Sequence, residues 1–264
     1  MWRRLFLFAF PPAMLLRASP AGLKVRTRVE PFKGSGIWQP VEYIEPVEAS
    51  RSALILCDVW DRHWCRGATL RVNQLVKKMA PVVNRVRSKG VLIIHAPSET
   101  MSSYEQAPQR LAAIGLPKVA PPAPLDLDAP PIPVDSSDGG CDTAGESFFK
   151  AWTKEHPEIP IGDEDLITDQ GEQVYSALKA RGIQHLLVAG VHTNMCILNR
   201  SFAIKQMTKW GVRCILLRDL TDAMYNPQDK PYVSHERGTE MVVEYIEQYW
   251  CPTALSADLL AALG

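Results

Sequence analysis

Two residues of this 264-residue sequence stand where catalytic chemistry is readily arranged. Asp58 ends the apolar run Ala53-Leu54-Ile55-Leu56-Cys57. Cys196 follows a second run, His185-Leu186-Leu187-Val188-Ala189-Gly190, after a short polar stretch. Short unbroken apolar runs suit strands buried on both faces of a parallel sheet. A helix is expected over residues 194–210, capped by Thr193 or Asn194, which puts Cys196 in its first turn. Helix N-termini carry partial positive charge and free N–H groups. Both favour thiolate over thiol, and the same N–H groups can hold an oxyanion. A carboxylate on a neighbouring strand end can take the thiol proton and return it to a leaving amine. The pair therefore fits nucleophilic hydrolysis through a thioester. Each residue alone has a plainer reading. A cysteine opening a core-facing helix is commonly a small buried apolar group, and an aspartate after a strand commonly caps a turn.

The elements that must carry this pair alternate. Strands are expected at 53–57, 91–95, 165–168, 185–190 and 213–218, with a last short one near 252–255. Helices are expected at 69–89, 172–181, 194–210 and 234–250, three of them stopping at Gly90, Gly182 and Gly211 and the last capped by Ser234. Such alternation implies an α/β fold, an open parallel sheet with helices on both faces. Ligands in such sheets bind at the carboxyl ends of the strands, where Asp58 and Cys196 lie. Residues 23–50 read as an irregular or extended lead-in. Residues 97–150 hold a proline-rich stretch at 117–133, which excludes a helix or a central strand there. The whole segment is expected to cross one end of the sheet as an insertion and to form part of the pocket. No GxGxxG or GxxxxGK[ST] pattern occurs, so the sequence points to no nucleotide cofactor.

The segment after Asp58 is rich in side chains able to wall a pocket. Trp60, His63 and Trp64 follow the strand that delivers Asp58, and His192 and Asn194 face the same mouth. Arg200, four residues beyond Cys196, is placed to anchor an anionic group. Asp61 and His63 have metal-like spacing, but no further ligands can be assigned and the better reading is structural, with no metal.

Two motifs carry a family resemblance. Leu54-Ile55-Leu56-Cys57-Asp58-Val59-Trp60 resembles the strand-plus-Asp motif of isochorismatase-like, nicotinamidase-related cysteine hydrolases. Gly190-Val191-His192-Thr193-Asn194-Met195-Cys196-Ile197 resembles their G-[VI]-x-T-x-x-C-[VI] motif, and residues 213–223 resemble the strand and acidic turn that follow. The likeness spans about residues 50–256. It implies a six-stranded parallel sheet, Asp58 as general base and acid, and Cys196 as nucleophile. It also implies an oxyanion hole from the backbone N–H groups of His192 and Cys196, a cis Val191–His192 peptide, and a homo-oligomer. The implied activity is hydrolysis of a small amide. Hydrolysis of an isochorismate-type vinyl ether, or a non-catalytic binding protein, are the alternatives. The family's lysine is missing from its usual place, which here reads Asp165-Leu166-Ile167-Thr168-Asp169-Gln170. Lys154, and less so Lys150, are the candidates to replace it.

Balanced charge, 29 Lys plus Arg against 29 Asp plus Glu, gives no electrostatic case for nucleic acid or an anionic membrane as partner. The N-terminus runs basic, apolar and then small over residues 1–22, the order of an export signal, and its apolar part is too short for a membrane span. Export to the periplasm or outside is the expectation, and a cytoplasmic protein the alternative. Export would let Cys65 and Cys141 pair. Cys57 and Cys214 sit in apolar runs and are expected to be buried thiols.

Overall fold

Strand and helix alternate along the chain in the order β1 (Leu23–Val29), β2 (Gln39–Glu45), β3 (Ser52–Cys57), α1 (Arg66–Ser88), β4 (Leu92–Ala96), α2 (Pro108–Gly115), β5 (Leu166–Ile167), α3 (Gly171–Ala180), β6 (His185–Val191), α4 (Cys196–Asn199), α5 (Ile204–Lys209), β7 (Arg213–Asp222), α6 (His235–Tyr249), β8 (Thr253–Ala254) and α7 (Ser256–Leu263). This computed structural model describes residues 22–264, so the segment read as an export signal lies, apart from Gly22, outside the described residues. Among the described residues no helix is long and apolar enough to cross a membrane.

One sheet of eight strands runs β2-β1-β8-β7-β6-β3-β4-β5. The expected six parallel strands are present as β3 to β8. The sheet is nonetheless two strands wider than expected, because the lead-in folds into a hairpin, β1–β2, and adds antiparallel to β8. Arginine anchors explain its attachment. Arg26 and Arg28 each donate to the buried Glu247 carboxylate of α6, at 2.8 and 3.2 Å, and Thr253 of β8 donates to the same group at 2.6 Å.

β3 shows why the central strands read as unbroken apolar runs. Ala53, Ile55 and Cys57 enter the core beneath α3, α5 and α6, while Leu54 and Leu56 enter the opposite core beneath α1 and α7. With both faces covered, every position of the strand is buried. On α1, Val72, Val76, Met79, Val83 and Val86 form the stripe that packs on the second face.

Two expectations need correction. The helix foreseen over residues 194–210 breaks in two. α4 is a single turn ending before Arg200, whose backbone is extended, and α5 restarts at Ile204. The long excursion between β4 and β5 also divides. Its proline-rich half is a strap on the outer face, away from the pocket. Leu127, Ile132 and Val134 pack on the α3/α5/α6 core. Isolated hydrogen bonds hold it: Leu125 N to Lys209 O at 2.9 Å, and Tyr245 Oη to Pro130 O at 2.7 Å. Prolines cannot donate to a ladder, so a strap with isolated bonds is what such a sequence can form. Only the later half, from about residue 136 to 156, returns to the carboxyl ends of the strands.

That return is pinned by a buried ionic cluster. His95 of β4 bonds Glu155 through Nδ1 at 2.7 Å and Asp165 through Nε2 at 2.9 Å, and Arg87 of α1 pairs with Asp165 at 2.7 Å. Burial alone would lower the His95 pKa, but the Glu155 charge and the two carboxylate hydrogen bonds raise it to about 9. A group whose pKa is raised on folding stabilises fully below its unfolded value of about 6.5 and loses that contribution as pH rises through about 9. His95→Gln should therefore cost on the order of 2–3 kcal/mol near pH 6. Chemical denaturation should show the gap between the two proteins shrinking steadily from pH 7 to pH 10. A constant gap would contradict the charged state of His95.

Candidate active site

Strand register assembles the site. β3 pairs in parallel with β6 through Cys57 opposite Gly190, and with β4 through Cys57 opposite Ala96. The residues just past these pairs therefore emerge together: Asp58, Val191-His192, and Pro97-Ser98. Gly190 has φ 120°, and a Cβ there would lie 2.0 Å from the Cys57 carbonyl oxygen, so this approach of β6 to β3 requires glycine. Val191–His192 is a cis peptide bond, as the motif implied. Asp58 has φ 50°, the left-handed region that aspartate tolerates better than most residues.

The Asp58 carboxylate is fully buried and held by two hydrogen-bond donors. Oδ1 accepts from the Ser98 backbone N–H at 2.7 Å. Oδ2 accepts from Arg200 Nε at 2.8 Å. The Cys196 thiol lies close enough to the same carboxylate for each group to shift the other's titration. Burial pushes the Asp58 pKa up, and Arg200, the thiol and Ser98 oppose that shift. Burial and the Asp58 charge also drive the Cys196 pKa far above the ordinary thiol range, against Arg200 and the His192 backbone N–H, which oppose it. The resting pair is thus a thiol beside a carboxylate. The thiolate expected from a helix N-terminus is not what this environment favours, because α4 is one turn long and dense packing outweighs its N–H groups.

The cation beside Asp58 is Arg200. Its guanidinium bridges Asp58 and Glu99, the latter at 3.1 Å, and lies 5.9 Å from the Trp60 ring centroid. Sequence reasoning placed Arg200 in the pocket as an anchor for substrate; the structure turns it onto the carboxylate. The break after α4 makes this geometry, since the chain leaves the helix at Arg200 itself. Lys154 is exposed, and what it contributes is backbone: its carbonyl accepts from Asp61 N at 3.0 Å. Lys150 reaches only the second layer, donating to the Glu99 carbonyl at 2.7 Å.

The other expected residues separate. Trp60 and His63 border a small cavity beside Asp58, as does His192. Trp64 and His63 border the outer cleft that shares this wall. Asn194 borders neither of these cavities. Its amide donates to Met224 O at 2.9 Å and accepts from Met224 N at 2.8 Å, clamping β6 to the turn after β7. Asp61 binds Thr153 through both backbone and hydroxyl, at 2.9 and 2.6 Å, and His63 Nδ1 accepts from Cys65 N at 3.1 Å, so the metal-like spacing resolves into loop bonds.

Sequence reasoning missed the roof. Trp152, from the returning half of the excursion, stacks on Trp60 at 4.2 Å between ring centroids. With Trp64, Ala151 and Met224 it forms a cluster against which Cys196 packs. Cys65 and Cys141 are joined in a disulfide that ties this segment to the start of α1. The one available signal was the aromatic content of residues 148–152, unusual in a solvated loop.

No family model and no curated protein sequence matches the chain. Solved structures do. A cysteine hydrolase from Pseudomonas syringae pv. phaseolicola 1448A superposes with a TM-score of 0.53 at 15% identity, covering 83% of this chain and 94% of its own. An isochorismatase from Pseudomonas putida KT2440 superposes with a TM-score of 0.50 at 13% identity, covering 81% and 93%. The fold is thus the α/β sandwich of isochorismatase-type hydrolases. This chain departs from the pattern its motifs resemble by holding an arginine against Asp58, where a lysine was expected near the site.

Alkylation tests the thiol's state. Cys57, Cys214 and Cys251, the other free cysteines among the described residues, are buried, so iodoacetamide should modify Cys196 first. Its rate, followed by peptide mass spectrometry, should keep climbing above pH 9, where free cysteine with a pKa of about 8.5 has levelled off. A plateau below pH 8 would rule out the raised pKa.

Proposed function

We propose that the protein hydrolyses a C–N bond in a small amide, with Cys196 as nucleophile, Asp58 as proton carrier and Arg200 as the resident cation. One observation carries the reading: a thiol beside a fully buried carboxylate that an arginine already holds. The isochorismatase-type fold supports it, as does the placement of Asp58 at the end of β3 and of Cys196 and Arg200 on the single turn of helix that follows β6.

The cycle follows from the geometry. Cys196 Sγ attacks the carbonyl carbon as its proton passes to Asp58, so no free thiolate need accumulate. Charge growing on the carbonyl oxygen is met by the N–H groups of His192 and Cys196. The C–N bond breaks, Asp58 returns the proton to the nitrogen, and an amine leaves. A water then attacks the thioester carbon, giving its proton to Asp58. The carboxylic acid departs and the sulfur regains a proton from Asp58. Arg200 keeps its charge throughout, because the neighbouring Asp58 raises its pKa further. It lowers the cost of the buried negative charge as that charge moves between sulfur and carboxylate.

Turnover on a panel of simple carboxamides tests the assignment. Cys196→Ala and Asp58→Asn should each lower kcat/KM by about 10³-fold or more. Arg200→Ala should lower it by about 10²-fold, and Arg200→Lys should recover part of that loss, since a cation is restored without the bidentate fork. If Cys196→Ala keeps its activity while Asp58→Asn loses it, the thioester route is wrong and acid-catalysed ether hydrolysis takes its place. Inactivity of the unaltered protein across the panel would argue for a binding protein.

A further inference from the structure

Two adjacent residues hold both sides of one ion pair. Ser98 gives its backbone N–H to Asp58 Oδ1 at 2.7 Å. Glu99, the next residue, accepts from Arg200 Nη2 at 3.1 Å, while Arg200 Nε donates to Asp58 Oδ2 at 2.8 Å. The contacts close a ring that runs from Asp58 through the Ser98–Glu99 turn to Arg200 and back to Asp58. Ser98 serves this ring through its backbone. Glu99 serves it through a side chain, and the mechanism so far gives that carboxylate no task.

Arg200 needs a second hold. Among the described residues, Asp58 and Glu99 are the acceptors of its side-chain hydrogen bonds. The Trp60 ring, 5.9 Å away, attracts the charge without fixing the direction of any N–H. One bond through Nε leaves a long side chain free to turn its guanidinium plane about that bond. A second bond at Nη2 fixes the plane. Orientation matters here because the Arg200 charge is one of the influences that favour the Cys196 thiolate.

The turn that offers Glu99 is itself constrained. Glu99 has φ 65°, in the left-handed region that is uncommon outside glycine. Its N–H donates to Asp169 Oδ2 at 3.3 Å, and its carbonyl accepts from Lys150 Nζ at 2.7 Å. Thr100 Oγ1 bonds back to the Pro97 carbonyl at 2.6 Å. Asp169 and Lys150 thus bond the backbone of the turn, and the carboxylate is left to Arg200. A backbone held in a sparsely populated conformation from both sides is a common mark of a functional position. The side chains of Arg200 and Glu99 are 28% and 47% exposed, so their attraction is screened and contributes little to stability. What the pair fixes is direction.

We propose that Glu99 is a positioning residue that holds Arg200 Nη2 and so keeps the guanidinium plane turned onto Asp58 while Cys196 gives up its proton. The inference rests on Asp58 and Cys196 reacting as a pair, and not on which bond they cleave.

Iodoacetamide alkylation of Cys196 at pH 9 reads this without any turnover. Glu99→Ala should slow it by about threefold to fivefold, the scale of a half-exposed ion pair. Glu99→Gln, whose amide oxygen can accept from Nη2, should recover most of the rate. In an Arg200→Ala background, Glu99→Ala should cause no further slowing, because its effect passes through the guanidinium. Equal slowing in both backgrounds would mean that Glu99 only shapes the turn, and overturns the proposal. So does an unchanged rate in Glu99→Ala, or faster alkylation in both single variants, which would mean that only the negative charge matters. N-ethylmaleimide, a bulkier reagent, should show the same fold-change; slowing confined to one reagent would trace to access and also overturns the proposal. If Glu99→Ala fails to fold by circular dichroism, Glu99→Gly, which suits a positive φ, makes the same comparison. Variants that behave as expected in a protein that turns over no amide would instead overturn the hydrolase reading and leave this one standing.

Discussion

The fully buried Asp58 carboxylate constrains everything around it. An isolated ionised carboxylate in a protein interior is costly enough to protonate or to disrupt the fold, so it persists only when hydrogen-bonded and paired. Ser98 and Arg200 meet that need, Ser98 from just past the end of β4 and Arg200 from the end of the short helix that follows β6. Their convergence requires β3, β4 and β6 to stop in register, which the Cys57–Ala96 and Cys57–Gly190 pairs ensure. It also requires Arg200 to turn back, and the chain gives up a continuous helix to let it. Fold and reactive site are in this sense two views of one electrostatic problem.

The same logic recurs outside the site. Glu247 is buried and answered by Arg26, Arg28 and Thr253, which is how the hairpin is fastened to α6 and β8. His95 is buried and answered by Glu155 and Asp165, which is how the returning half of the excursion is fastened to β4. Apolar packing supplies the two faces of the sandwich, while buried charge decides which peripheral segments attach and where.

Much of this was legible in the sequence. Buried parallel strands leave unbroken apolar runs, so β3, β4, β6 and the first part of β7 could be read directly, and glycines marked the ends of several helices. Asp58 and Cys196 could be placed because each ends or follows such a run. What escaped depended on partners distant in sequence. The hairpin's seven-residue strands are largely exposed in β2, so they lack the apolar signature of the centre. The break after α4 follows from a contact across 142 positions that no local pattern encodes. Arg200 was legible as a functional residue but not as the partner of Asp58, because a regular helix was assumed. The partners of Asn194 and Lys154, Met224 and Asp61, were hidden for a similar reason, since they are set by how loops fold over the strand ends.

The disulfide between Cys65 and Cys141 spans 76 positions, and the covalent ring it closes contains α1, β4 and α2. Closing a ring of that size restricts the unfolded chain by an amount worth ~4 kcal/mol. Its placement matters as much as its size. One end is the residue that caps α1 and the other begins the stretch carrying Trp152, so the two walls of the candidate site are hooped together. The proline strap is itself part of that ring and lies on the outer face, where Leu127, Ile132 and Val134 pack on the α3/α5/α6 core. The excursion is thus two parts with different placements, a half hooped to α1 beside Asp58 and Cys196 and a half laid over the helices of the far face.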